Sequence, residues 1–156
     1  MSANTTTGEL TAAAAKGQPI DAQNPGPWTT GLFDCFDDSD NCFKTFCCPF
    51  ITFGRNVEII DKGRTSAGDA ARNYYILGNF GCAVCYSYPY RTRLREQFSL
   101  EEQPCGDCLV HCCCIQCALC QEHRELKNRG LDPTIGWAAN VAKMQPPAVE
   151  QGMVGP

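Results

Sequence analysis

Apolar and polar positions along the chain divide it into two tails and three internal stretches. Residues 1–27 carry Ala, Thr, Gly, Gln, Asn and Pro without apolar periodicity, and 144–156 reads the same way, so both ends are expected to be disordered. The domain is expected over 28–143, one unit of ordinary size. Its first stretch, Trp28 to Gly54, ends in the aromatic and cysteine-rich run C-F-K-T-F-C-C-P-F-I-T-F-G, through which Pro49 forbids one continuous helix. Val57, Ile59 and Ile60 then predict a short helix over Arg55–Asp61, stopped by Gly63, with a loop over Lys62–Asp69.

From Asn73 to Tyr90 no charged residue occurs, with Arg72 and Arg91 at the borders. This is barely long enough to span a bilayer, and its Asn, Ser, Tyr and Pro residues make it a weaker span than usual. A buried helix in a soluble core fits the same pattern. The last stretch predicts a long helix from an N-cap at Asp107 to Asn128, with Gly130 as its stop and Pro133 beyond. Its first half is apolar and cysteine-rich. Its second half, Q-E-H-R-E-L-K-N-R, offers Glu122–Arg124 and Glu125–Arg129 as solvated pairs. The pattern is that of a helix entering an apolar phase at one end, although Cys108–Cys120, at about 20 Å, is too short to cross a bilayer alone.

Thirteen cysteines change this picture most, seven of them between Cys105 and Cys120. The number is odd, and the N-terminal region lacks the basic start and apolar core of a secretory signal, which disfavours a secreted disulfide scaffold. Metal ligation, acylation and use as small buried apolar groups remain. The C-x2-C spacing suits a soft ion because both sulfurs reach the same side of a turn. It occurs at Cys82/Cys85, Cys105/Cys108, Cys114/Cys117 and Cys117/Cys120. On a helix, Cys105, Cys108 and Cys112 share one stripe, and Cys113, Cys117 and Cys120 another. No more than about half of the thirteen are expected to be ligands. Clustered Cys112, Cys113 and Cys114 beside basic residues also suit palmitoylation. His111 is open between ligand and packing residue, while His123, among charges, reads as solvated.

A net charge of −4 argues against nucleic acid. The bases gather at Arg91, Arg93 and Arg95 and at Arg124, Lys127 and Arg129, a placement that suits either a juxtamembrane position or a plain solvated surface. No serine triad, phosphate loop or H-E-x-x-H is present, so an enzyme is not expected.

The segments C-C-P-F-I-T-F-G-R-N-V-E-I-I-D-K-G and P-C-G-D-C-L-V-H-C-C-C-I-Q-C-A-L-C-Q-E-H-R-E-L-K-N-R-G resemble the PLAC8 family, and within it the plant cadmium resistance and cell number regulator group. The resemblance covers about Trp28 to Trp137. It implies a mainly α, small, cysteine-rich, membrane-associated helical domain, assembled as a cyclic homo-oligomer in the plasma membrane. The implied activity is transport of divalent cations such as zinc, cadmium and calcium, with zinc either carried or structural and lipid, metal ions and further copies of the chain as partners. The alternative is a zinc-stabilised regulator of cell number acting as a binding module without transport. The family's C-[CL]-x4-C-P-C motif falls on Cys42, Phe43, Lys44–Cys47, Cys48, Pro49 and Phe50, so Phe43 and Phe50 depart from it and Cys47 is the substitute thiol for the last position. Cys114 with Cys117 matches the family pattern. The metal-ligand candidates are thus Cys42, Cys47, Cys48, Cys82, Cys85, Cys108, Cys114 and Cys117. A shared axis between copies would draw its selecting acids from Glu58, Asp61, Asp107 and Glu122, each of which also reads as an ordinary surface or capping acid.

Overall fold

The computed structural model describes residues 26–145, which are mainly helical as expected. The tails expected at 1–27 and 144–156 lie almost wholly outside these residues. After a 3-10 turn at Cys35–Asp38 come α1 (Ser39–Cys47), α2 (Pro49–Ile60), α3 (Ala67–Asn79), α4 (Ala83–Phe98), α5 (Asp107–Asn128) and α6 (Gly136–Met144). Gly26 pairs with the Ser99–Glu101 backbone, which ties the start of the domain to the end of α4.

Three reversals organise these helices. At the first, Pro49 occupies the opening turn of α2, where its missing N–H costs nothing, and Cys48 leaves helical geometry at φ −140°, ψ 69°. Thr45 and Thr52 then meet hydroxyl to hydroxyl at 2.8 Å, a separation that a straight helix would stretch to about 10 Å. The second lies at Phe80–Cys82, where Gly81 adopts φ +73°. The third is inside α5. Cys114 sits at φ −139°, ψ 46°, and His111 Nε2 reaches Glu122 Oε1 at 2.8 Å across eleven residues, which in a straight helix would lie about 16 Å apart. α5 is therefore a helical hairpin.

Several sequence expectations change here. The charge-free stretch Asn73–Tyr90 is broken by the Gly81 turn into the end of α3 and the start of α4, and among the described residues no helix is long and apolar enough to cross a membrane. The expected loop over Lys62–Asp69 ends early because Ser66 accepts a hydrogen bond from Asp69 N and caps α3 from Ala67 onward. Asp107 is the first residue of α5, not its cap, a place held by Gly106.

The largest change concerns α5, whose charged half is the buried one. Gln121 through Leu126 are all buried, whereas Cys108, Leu109, Cys112 and Cys113 are exposed. Glu125 does pair with Arg129 at 2.6 Å, yet it also accepts from Thr29 N and Oγ1, and its own side chain is out of solvent. His123 is buried rather than solvated, and so are Arg91 and Arg124 from the two basic clusters. The reason is tertiary. Once the chain doubles back at Cys114, the second half of α5 is covered by the N-terminal segment on one side and by α2 and α4 on the others.

Apolar burial falls into three groups. Phe53, Val57, Ala70, Tyr74 and Leu119 form one, with Phe50, Ala83, Tyr86, Tyr90 and Ile115 against it. Ile59, Ile60, Leu94 and Leu126 form another, at the opposite end, with Trp28 and Trp137 beside them. Leu32, Val110 and Ala118 form the third, next to Cys105 and Cys117. α2 and α3 touch so closely at Gly54 that a Cβ there would lie 2.2 Å from Ala67 O.

Candidate metal centre

Two short pieces of chain bring cysteine sulfurs together. The 3-10 turn presents Cys35, and α1, capped by Asp38 through Asn41 N at 3.1 Å, presents Cys42. Opposite them, the second half of α5 presents Cys117 and Cys120 one turn apart, on a face that also carries the buried Ala118. The Sγ atoms of Cys35, Cys42 and Cys120 all lie within 4.8 Å of one another. The Cys117 thiol lies close enough to Cys35 to be perturbed by it, but it stands outside the group of three mutually adjacent sulfurs.

Burial raises the Cys120 thiol to about 12, opposed by a hydrogen bond with Thr45 and by Arg124. Burial likewise raises Cys117 to about 11, helped by the neighbouring thiols of Cys35, Cys114 and Cys42. Both are protonated at neutral pH, so each would be a poor nucleophile, and an ion bound here would displace protons. Three adjacent sulfurs in a half-buried setting, with Cys117 near by as the candidate fourth ligand, fit a soft, four-coordinate ion such as zinc or cadmium. Tetrahedral Zn–S bonds of about 2.3 Å put sulfurs roughly 3.8 Å apart, a modest contraction of the present group.

Of the eight cysteines expected as ligands, Cys42 belongs to this group, Cys117 stands beside it, and Cys114 lies near enough to Cys117 to perturb it. Cys47 and Cys48 sit at the α1–α2 reversal, Cys82 and Cys85 at the start of α4, and Cys108 on the exposed first turn of α5, and the described structure gathers none of these five into a site. Cys35 and Cys120 were not among those eight. The Cys117/Cys120 pair carries the C-x2-C signal, but nothing in the local pattern around Cys35 distinguishes it, since besides Cys42 the sulfurs it meets come from a helix some eighty residues away.

The four acids expected to line a path are held by groups of the chain itself. Glu58 accepts from Ala67 N and Trp137 N at 3.1 and 2.9 Å, anchoring the starts of α3 and α6. Asp61 accepts from Thr65 Oγ1 and Arg93. Asp107 and Glu122 belong to a buried network centred on Arg91, which lies 3.3 Å from Asp107, 3.4 Å from Glu122, and donates to Gln121 Oε1 at 2.8 Å. Arg95 adds a two-pronged contact to Asp107, and Trp28 covers the Arg91 guanidinium at 4.3 Å. His111 bridges Glu122 and Ser87, each at 2.8 Å. A carboxylate can only accept, so His111 gives its Nε2–H to Glu122 and turns Nδ1 to the Ser87 hydroxyl. This use as a network residue gives His111 no sulfur neighbours among the described ligands.

A small, mainly helical domain, cysteine-rich, folded by three hairpin reversals and closed by a thiol group between its N-terminal turn and α5, is thereby defined. The chain belongs to the PLAC8 family, whose model matches residues 28–125. It is 54% identical over 127 residues to Cell number regulator 10 of Zea mays, covering 81% of this chain and 80% of that protein. It is 48% identical over 143 residues to Protein PLANT CADMIUM RESISTANCE 12 of Arabidopsis thaliana, covering 88% and 89% respectively. Cell number regulator 3 of Zea mays is 51% identical over 135 residues, covering 81% of this chain and 80% of that one. No solved structure matches the chain significantly.

Proposed function

We propose that this protein is a plasma-membrane, homo-oligomeric carrier of divalent cations, zinc and cadmium first and calcium as a further cargo, and that it contributes to heavy-metal resistance without acting as an enzyme. The observation that carries the reading is the sulfur group of Cys35, Cys42 and Cys120, with Cys117 beside it, in a relative of proteins named for cadmium resistance. Thiols select soft ions over the magnesium that outnumbers them, because sulfur is a poor ligand for a hard cation. A route for the ion would have to run between copies, since no described helix is long and apolar enough to cross a membrane. Purified, correctly oligomerised protein in liposomes should pass zinc and cadmium but not magnesium. Flux no greater than that of empty vesicles would sink the carrier reading.

The second reading, a zinc-stabilised regulator of cell number that recruits partners at the membrane, is favoured by the position of the same sulfurs. They join the segment before α1 to the second half of α5, which is where a structural ion would contribute folding free energy. Under it, zinc is held stoichiometrically, chelator unfolds the domain, and liposomes show no flux.

A further inference from the structure

The three reversals share one end of the molecule. Phe50, just past Cys48, Ala83, just past Gly81, and Ile115, just past Cys114, all pack on the same apolar group around Phe53 and Leu119. Phe50 and Tyr75 meet edge to face at 5.6 Å, which joins the first tip to the second. Trp28, Trp137 and the Ile59–Leu126 group lie at the other end.

That shared end is charge-free to a common depth. After Cys48 the first charge is Arg55. Before Phe80 the first is Arg72, and around Cys114 they are Asp107 and Glu122. At about 1.5 Å per residue, each lies about 10–12 Å from its apex. Gly54 touches Ala71, which sets their neighbours Arg55 and Arg72 at one level, and Asp107 and Glu122 meet at Arg91. Only Lys44 lies nearer a tip, and it is an exposed side chain long enough to reach back to the rim. Below the rim the surface is mostly apolar, with Phe46 69%, Phe80 77% and Leu109 53% exposed beside the uncharged Asn79 and Gln116. The backbone at two of the turns is closed on itself. Cys48 N–H donates to Lys44 O at 2.7 Å and Cys82 N–H to Leu77 O at 2.8 Å, as hydrocarbon surroundings require.

We propose that the three hairpin tips enter a single leaflet of a phospholipid bilayer together, so that the chain sits on the membrane as a three-pronged monotopic domain with no segment crossing it. The charge-free depth matches the roughly 5–10 Å to which interfacial helices bury their apolar faces, and Arg55, Arg72 and Lys44 stand at headgroup level. A protein partner fits less well, because a surface whose one charge is Lys44 offers little to fix register or orientation. This rests on the membrane seat common to both proposed readings and sides with the regulator that does not transport, since copies confined to one leaflet leave no route across the other; it adds the residues that enter and the depth they reach.

Neither native tryptophan is at a tip, since Trp28 stacks on the rim residue Arg91 and Trp137 lies beyond it, which allows a direct test with the full chain in phosphatidylcholine–phosphatidylglycerol vesicles. Phe46→Trp, Phe80→Trp and Leu109→Trp are each compared with the parent chain using lipids brominated at different depths. Each variant should be quenched more than the parent, strongest with bromines near the top of the acyl chains. The combined variant Phe46→Glu/Phe80→Glu/Leu109→Glu should float with vesicles about tenfold less or worse, at unchanged helical circular dichroism, because these side chains touch little of the protein. No gain in quenching, including the case in which the mass shows the tips covered by a second copy, overturns the proposal. So does parent-like flotation of the glutamate variant, or strongest quenching at the chain ends of the lipid. Metal flux in the same vesicles separates the two readings: insertion without flux removes the carrier and leaves the monotopic seat, whereas flux, with or without quenching, needs a path through both leaflets and overturns the monotopic seat.

Discussion

At the scale of single residues, burial decides what each titratable group can do. His123 is pushed down to about 4, chiefly by burial, with Lys127 and Arg55 adding to the effect and Asp38 and Asp132 opposing it. It lies 3.2 Å from Asn56 Oδ1, to which neutral imidazole donates Nδ1–H. A histidine whose folded value lies below its unfolded one takes up its proton more readily when unfolded. Its contribution is therefore intact above about 6.5 and is lost as pH falls towards about 4, a change of about 3 kcal/mol. Denaturant titrations of the parent and of His123→Gln should diverge in slope across that window, the variant being flatter. Arg91 presents a different case, since it is the counter-charge of two buried acids. Replacing it with Ala leaves Glu122 and Asp107 short of a cation and should cost about 3–5 kcal/mol, measured as a shift in the urea midpoint. Among the cysteines, Cys35→Ser, Cys42→Ser, Cys117→Ser and Cys120→Ser should each abolish or sharply weaken zinc retention, whereas Cys82→Ser and Cys85→Ser should leave it unchanged. Elemental analysis of purified protein, with free-thiol counting, reads this directly.

At the scale of elements, the reversals matter more than the helices they join. Pro49 announces the first one in the sequence, because no helix tolerates it at its centre. Gly81 permits the second, where a left-handed residue is needed. Cys114 gives no such sign. It lies in a run without Pro or Gly, and periodicity alone therefore predicts one helix from Asp107 to Asn128, the bounds that α5 has, without the fold-back inside it. The contact of α2 with α3 has an equally specific local requirement. Gly54→Ala would drive a methyl group into the Ala67 carbonyl, and the two helices would have to part, at a cost of about 3 kcal/mol in thermal or chemical unfolding.

At the scale of the whole molecule, the polar and apolar ends exchange the roles that a linear reading gives them. Arg124, Glu122 and His123 look like a solvated helix face, yet they are the middle of the domain, each supplied with partners from segments far away in sequence. Arg124 donates to Thr30 Oγ1 and Gly31 O, both at 2.7 Å, and Gln121 to Thr30 O at 3.0 Å. The exposed surface is instead the aromatic and cysteine-rich one at the hairpin tips. If zinc joins the N-terminal turn to α5, chelation should release this segment first, and hydrogen exchange should show Thr29–Asn41 losing protection ahead of α2 and α3. The sequence by itself determined the helical class, the stops at Pro49 and Gly130, the family and a wealth of thiols suited to soft metal, because these depend on local propensity, spacing and residue chemistry. Only the tertiary structure decided which sulfurs meet, that the charged half of α5 is interior, and that the three hairpin tips point the same way. Each of these follows from a chain reversal at Cys48, Gly81 or Cys114, and a reversal sets contacts between residues whose spacing in sequence carries no record of them.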